Sequence, residues 1–181
     1  MRFMILLLAL LGASLFAESA FQIELGMKGI LKPGTHSPGL EMTRGAWRKA
    51  GKNTRLIIRG YALPEWKKYS FSFIPVRNGI TELTLKSASG LAVFYDDLSM
   101  TGASLLNGGF ETLRTDRRTP VGWGASYGTM TAESPLSGDF CLAVSGKQYA
   151  VQSLHVAAGK EVKLEFYVRS KKYTKGDQND Q

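Results

Sequence analysis

Three carboxylates stand out as groups able to do chemistry: Asp96 and Asp97, side by side in "FYDDLSM", and Glu111 in "NGGFETL". Acid–base hydrolysis needs two carboxylates that face one cleft with separated pKa values. Neighbours on a strand point to opposite faces, so Asp96 and Asp97 do not make such a dyad. The chain has no Ser-His-Asp arrangement, no phosphate loop and no His-rich zinc motif. Its one cysteine, Cys141 in "FCLAV", is flanked by apolar residues and reads as a buried thiol. The histidines, His36 and His155, sit in no Cys/His pattern. The expectation is therefore a protein that is not an enzyme. The chemistry left is recognition: flat rings at Trp47, Tyr61, Trp66, Trp123, Tyr127 and Tyr167, with Arg44 and Arg48 beside Trp47 and Arg169 beside Tyr167 as hydrogen-bond donors.

Short β-type runs must position these groups. No long amphipathic helix is legible after the first twenty residues. "FQIELGMKG" alternates, with Phe21, Ile23, Leu25 and Met27 on one face; "KKYSFSFIPV" puts Tyr69, Phe71 and Phe73 on one face. "NGITELTLKS" opens on an Asn78-Gly79 turn and aligns Leu83 with Leu85. "EVKLEFYVRS" turns Val162, Leu164, Phe166 and Val168 inward and Lys163, Glu165, Tyr167 and Arg169 outward. About nine strands at this spacing predict an all-β sandwich or jelly roll. Lys32 to Asn53, with Gly, Pro and charge but weak periodicity, reads as a long loop.

Residues 1–20 carry a basic start, an apolar run "MILLLALLGASLF" and small residues at Ala17, Ser19 and Ala20, the pattern of a secretory signal. The expected location is secreted, periplasmic or cell-surface. Residues 21–170 then form one domain, and 171–181 a polar tail. The chain has 23 Lys+Arg against 15 Asp+Glu, a net charge of +8. Such a balance favours acidic partners, but the charges are scattered apart from "RTDRR" and "RSKKYTK", and export argues against nucleic acid. A single cysteine allows no disulfide within the chain.

Two groups of motifs suggest a relationship. "LLNGGFE", "PVGW", "SGDFCLAV" and "AVQSLHVAAGKEVKLEFYVRS" resemble the first half of a carbohydrate-binding-module jelly roll. This is the galactose-binding-domain-like group that includes the xylan- and glucan-binding modules. "EWKKYSFSFIPVRNGITELTLKSASGLAVFYDDLSMTGA" resembles the second half. The halves stand in reverse order: 21–103 corresponds to the usual C-terminal half and 104–170 to the usual N-terminal half. One explanation is circular permutation of a single domain. A second is the end of one module followed by the start of another. A third is strand-swapped self-association, in which halves of neighbouring chains complete each other. Permutation is favoured, because either half alone would expose a broad apolar face.

The resemblance implies a non-catalytic carbohydrate binder, with poly- or oligosaccharide as partner. It also implies a structural calcium ion where the Glu of the opening motif meets an Asp of the closing strand, here Glu111 and Asp96. Asp96 shares strand parity with Leu98 and Met100, which puts it on the core side in need of a partner; the alternative is that both carboxylates cap turns or pair with Arg. Trp47, Arg44, Tyr127, Tyr167 and Arg169 are the candidate ligand-binding residues. Aromatic faces stack on pyranose C–H bonds while polar side chains meet the hydroxyls. Tyr167 and Arg169, with Gln22 and Glu24 on a neighbouring strand, would line a shallow groove; the alternative is an ordinary solvated face. Trp66 and Trp123 match positions that are commonly packing residues. The other readings are an extracellular protein-interaction domain without a sugar ligand, and an accessory to a glycoside hydrolase.

Overall fold

A computed structural model describes residues 19–46, 54–116, 119–126, 129–131 and 133–171. Among these residues there are twelve strands and no helix. The strands are β1 (Ser19–Met27), β2 (Leu31–His36), β3 (Glu41–Ala46), β4 (Thr54–Ala62), β5 (Lys67–Pro75), β6 (Gly79–Ser87), β7 (Val93–Thr101), β8 (Gly124–Ser126), β9 (Thr129–Thr131), β10 (Cys141–Val144), β11 (Tyr149–Val156) and β12 (Val162–Ser170). They form two six-stranded sheets: sheet A, in the order β3-β4-β1-β6-β11-β8, and sheet B, in the order β2-β5-β12-β7-β10-β9. Every pairing is antiparallel.

The period-two alternation explains the layering, since each strand turns one set of side chains toward the opposite sheet. Phe21, Ile23, Leu25 and Met27 of β1 are buried, as are Tyr69, Phe71 and Phe73 of β5 and Val162, Leu164, Phe166 and Val168 of β12. They belong to one core that draws on both ends of the chain. Its aromatic centre joins Phe21 to Phe166 with ring centroids 5.6 Å apart and Tyr69 to Phe166 at 5.9 Å. Both sheets interleave the two halves: β11 pairs with β6, while β12 lies between β5 and β7. The two ends of the described sandwich both reach the end of β4. Ser19 pairs with Ala62, and the Ser170 N–H donates to the Leu63 carbonyl at 2.6 Å.

Within the stretch 32–53, expected from its weak periodicity to be a long loop, residues 32–46 are largely strand, and 47–53 lie outside the described residues. The stretch contains most of β2 and all of β3, both edge strands. The sequence signal is poor because Pro33 is tolerated only at an edge and because Gly34 interrupts the alternation. The Gly34 backbone lies so close to β5 that a Cβ there would meet Ser72 Oγ. The register of β2 against β5 shifts between Pro33 and His36 accordingly.

The "LLNGGFE" and "PVGW" segments between β7 and β8 close one end of the core with Phe110 and Trp123, both fully buried, with ring centroids 5.4 Å apart. Trp123 Nε1 donates to the Leu106 and Asn107 carbonyls, so the indole is satisfied as well as packed.

Candidate functional site

The expected groove does not exist as one surface. Gln22 and Glu24 are on β1 in sheet A, whereas Tyr167 and Arg169 are on β12 in sheet B. Strand alternation put all four on outer faces correctly, but two sheets have two outer faces.

The outer face of sheet A carries a hydrogen-bonded network. Arg59 of β4 donates through Nε to Gln22 Oε1 at 2.7 Å, and Gln22 Nε2 donates to Glu24 Oε1 at 2.6 Å. Lys86 of β6 bonds the same oxygen at 2.9 Å, and Arg55 Nε stands 3.6 Å from Glu24 Oε2. These long side chains lie over Glu24 and leave it only 8% exposed. Burial alone would raise its pKa. The Lys86 bond and charge, the Arg55 charge and the Gln22 amide outweigh burial and hold the carboxyl below its ordinary range. Tyr61 and Tyr149 flank the network, 59% and 39% exposed. Lys86 is paired with Gln22 on one side and with Tyr149 on the other, and Gln22 with Arg59. Three strand spacings across and two residues along place Tyr61 and Tyr149 roughly 16 Å apart, the length of a short oligosaccharide. The sequence pattern named Tyr61 as a stacking candidate but missed Tyr149; its signal is an outward aromatic opposite Lys86.

Sheet B carries the carboxylates. Asp96 does not share a face with Leu98, as simple alternation requires. Asp97 adopts φ 46° and forms a bulge against β12, where Glu165 pairs with Ser99 and Tyr167 with Asp96. Tyr95 and Leu98 therefore both enter the core, while Asp96 turns to the outer side beneath residues 133–140. Asp96 and Asp97 both reach that segment and do not oppose each other. Asp96 Oδ2 accepts the Leu136 and Ser137 N–H groups at 2.8 and 3.4 Å, its Oδ1 accepts the Asp97 N–H at 2.8 Å, and Ser137 Oγ donates to Asp97 Oδ1 at 2.9 Å. Burial raises the Asp96 pKa to about 6 against the pull of these amides. Glu111 fastens the same segment farther along, accepting from Asp139 and Phe140 at 2.9 and 3.1 Å. Gly138, at φ +62°, lies under that carboxylate, where any Cβ would collide with it.

Asp96 and Glu111 thus do converge on one loop. All four of their carboxylate oxygens face main-chain N–H groups, so in this arrangement both act as loop anchors and a calcium ion would share those oxygens with amides. Among the described residues no group of three or more His, Cys, Asp or Glu is placed to hold a metal.

Cys141 is buried under the same segment, its Sγ 3.9 Å from the Glu133 carbonyl. Burial, followed by the nearby Asp96 charge, pushes the thiol up to about 12, so it offers no thiolate nucleophile at neutral pH. Tyr167 is half-buried beside Lys68, whose ammonium stands 5.9 Å from its ring. Glu165 pairs with Lys68 and Lys163. Arg169 is not the exposed donor expected: only 5% of it is accessible. Arg44 is exposed on edge strand β3 in sheet A, opposite Leu56, and is not brought to Tyr167 or Arg169. Trp47 and Tyr127 lie outside the described residues. Trp123 is the packing residue expected, whereas Trp66 is only half-buried.

Comparison with protein-family models, with curated proteins and with solved structures returned no significant match. No helix among the described residues is long and apolar enough to cross a membrane.

Proposed function

We propose that this chain is a secreted, non-catalytic carbohydrate-binding protein that binds poly- or oligosaccharide on the outer face of sheet A. The observation that carries the reading is the sheet face, uncovered among the described residues, on which Tyr61 and Tyr149 flank the Arg59–Gln22–Glu24–Lys86 network. Sugar rings stack on exposed aromatic faces while their hydroxyls exchange hydrogen bonds with fixed charged and amide groups. A face held in place before the ligand arrives loses little side-chain entropy on binding. Glu24 is held charged by cations and Asp96 is tied to backbone amides, so neither supports a carboxylate pair across a cleft.

The fold reading within this proposal is a galactose-binding-domain-like jelly roll with its halves permuted. Its support is that Ser19 and Ser170 both reach the end of β4, at Ala62 and Leu63, which makes moving the chain break sterically easy. A variant with Ser170 joined to Ser19 by a short linker, and opened between Thr101 and Ser104, is expected to fold. Calcium at Asp96 and Glu111 rests on the motif resemblance and on their shared loop. Its test is the melting temperature with and without chelator, in the wild type and in Glu111→Gln.

The functional test is affinity electrophoresis through gels containing xylan, mixed-linkage glucan, mannan or pectin. Retardation by one polysaccharide, reduced in Tyr61→Ala and Tyr149→Ala, is expected. Absence of retardation in every gel, together with concentration-dependent oligomers, would replace this reading with a protein-assembly role.

A further inference from the structure

Arg169 is an unusual residue to bury. It projects from the outer face of β12, yet its guanidinium lies 4.0 Å from the ring of Phe94 and 5.2 Å from that of Trp66. Nη1 donates to the Ser170 carbonyl at 3.1 Å and Nη2 to the Glu133 carbonyl. Nε is buried with no acceptor among the described residues. Trp66 Nε1 donates to the Ser134 carbonyl at 3.2 Å, so the indole is fixed at its edge by that bond and against one ring by the guanidinium. The result is an open cavity of about 380 Å³ lined by Pro64, Glu65, Trp66, Glu133, Ser134 and Arg169. A shape-filling role needs only aliphatic side chains; a cation buried here is costly, and what it does in return is back the Trp66 ring and hold the backbone at residue 133 on sheet B.

From this geometry we infer a second saccharide site, which takes a neutral mono- or disaccharide unit at the Trp66–Arg169 cavity. The inference rests on the carbohydrate reading and adds a separate site to it. The volume lies at the small end of ligand pockets, which span roughly 300–1,000 Å³. Trp66 supplies the stacking platform. Charges of both signs line the cavity, Arg169 against Glu65 and Glu133. With acidic and basic residues both in the lining, a hydroxylated neutral ring, which offers C–H faces to the indole and hydroxyls to polar groups, suits it best. Of the residues lining the cavity only Arg169 is in a strand, β12 of sheet B; Pro64, Glu65 and Trp66 lie in the connection from β4 to β5, and the Tyr61–Tyr149 face is on sheet A. One molecule therefore holds two saccharide segments, with the avidity that linkage brings.

The test is an NMR titration of the full chain. The Trp66 indole N–H resonance, identified by its loss in Trp66→Phe, is followed with xylobiose, cellobiose, laminaribiose and mannobiose and then with the matching hexaoses. One disaccharide is expected to shift it saturably, equally in the Tyr61→Ala/Tyr149→Ala double variant, and with at least tenfold weaker binding in Arg169→Lys. If a hexaose perturbs the sheet A face while no saccharide moves the Trp66 indole, the second site is wrong and the primary reading stands. If the Trp66 shift disappears in the double tyrosine variant, there is one site only and the inference fails. If no saccharide moves any resonance, both readings fail.

Discussion

Glu24 and Asp96 are acidic residues on the outer sides of opposite sheets, one 8% exposed and the other fully buried. Their surroundings differ in kind. Glu24 is covered by the side chains of neighbouring strands, and two of those, Lys86 and Arg55, carry positive charge. Asp96 is covered by a loop whose main-chain N–H groups are its partners. Cations hold Glu24 ionised, whereas amide dipoles do not fully offset burial at Asp96. Among the described residues no segment covers the first face, and its polar groups can exchange partners with a ligand. The second is a fastening that keeps residues 133–140 on sheet B and, through Glu133 and Ser134, holds Arg169 and Trp66 in place.

The largest effect expected from this contrast is on folding. Asp96→Ala leaves the N–H groups of Leu136, Ser137 and Asp97 without their acceptor where no solvent reaches the side chain, for a loss of roughly 3–5 kcal/mol in urea unfolding. A loss under 1 kcal/mol would mean the loop is not held by this carboxylate.

Next comes pH. The Asp96 pKa rises from 3.8 unfolded to about 6 folded, so the folded state binds the extra proton between those values. The contribution is fully present below pH 4 and is lost as pH rises through 6, a change of about 3 kcal/mol. Asp96→Asn should lack that decline. Glu24 has the opposite sign: with its folded pKa lowered, its contribution is present above pH 4.5 and is lost as pH falls. Unfolding curves from pH 3.5 to 7 on Asp96→Asn and Glu24→Gln separate the two. Identical slopes in both variants and the wild type would erase the distinction.

At neutral pH Glu24→Gln is expected to cost only about 1 kcal/mol, because Lys86 and Arg55 are partly exposed and rehydrate. Its polysaccharide retention should nevertheless fall, since the network loses its centre. The smallest stability effect is expected for Tyr149→Ala, within about 0.5 kcal/mol of the wild type, with roughly tenfold weaker retention by the retarding polysaccharide. A thermal melt and a gel-retardation series measure both, and loss of fold without loss of retention would move the glycan away from sheet A.

Legibility in the sequence followed the length and regularity of the strands. In β1, β5 and β12 the large inward residues from Phe21 to Met27, Tyr69 to Phe73 and Val162 to Val168 were readable, because each alternates with a residue directed to the other face. The edge strands β2 and β3 were missed, because Pro33, Gly34 and one-sided burial blur their period. The orientation of Asp96 was inverted by a bulge that "YDDL" does not announce. Outward parity was correct for Arg169 but says nothing about what covers an outer face; here Trp66 and the backbone of residue 133 do.

Alternation, turn residues and composition are local properties, and they were enough to specify an all-β chain, the inward face of its long strands and the burial of Cys141. Contacts distant in the chain were decided only on folding: which sheet each strand joins, the bulge that turns Asp96 outward, and the loop that encloses Arg169. The physical reason is that strand pairing and loop docking depend on partners tens of residues away. Side-chain period two specifies a face without specifying the neighbour across from it.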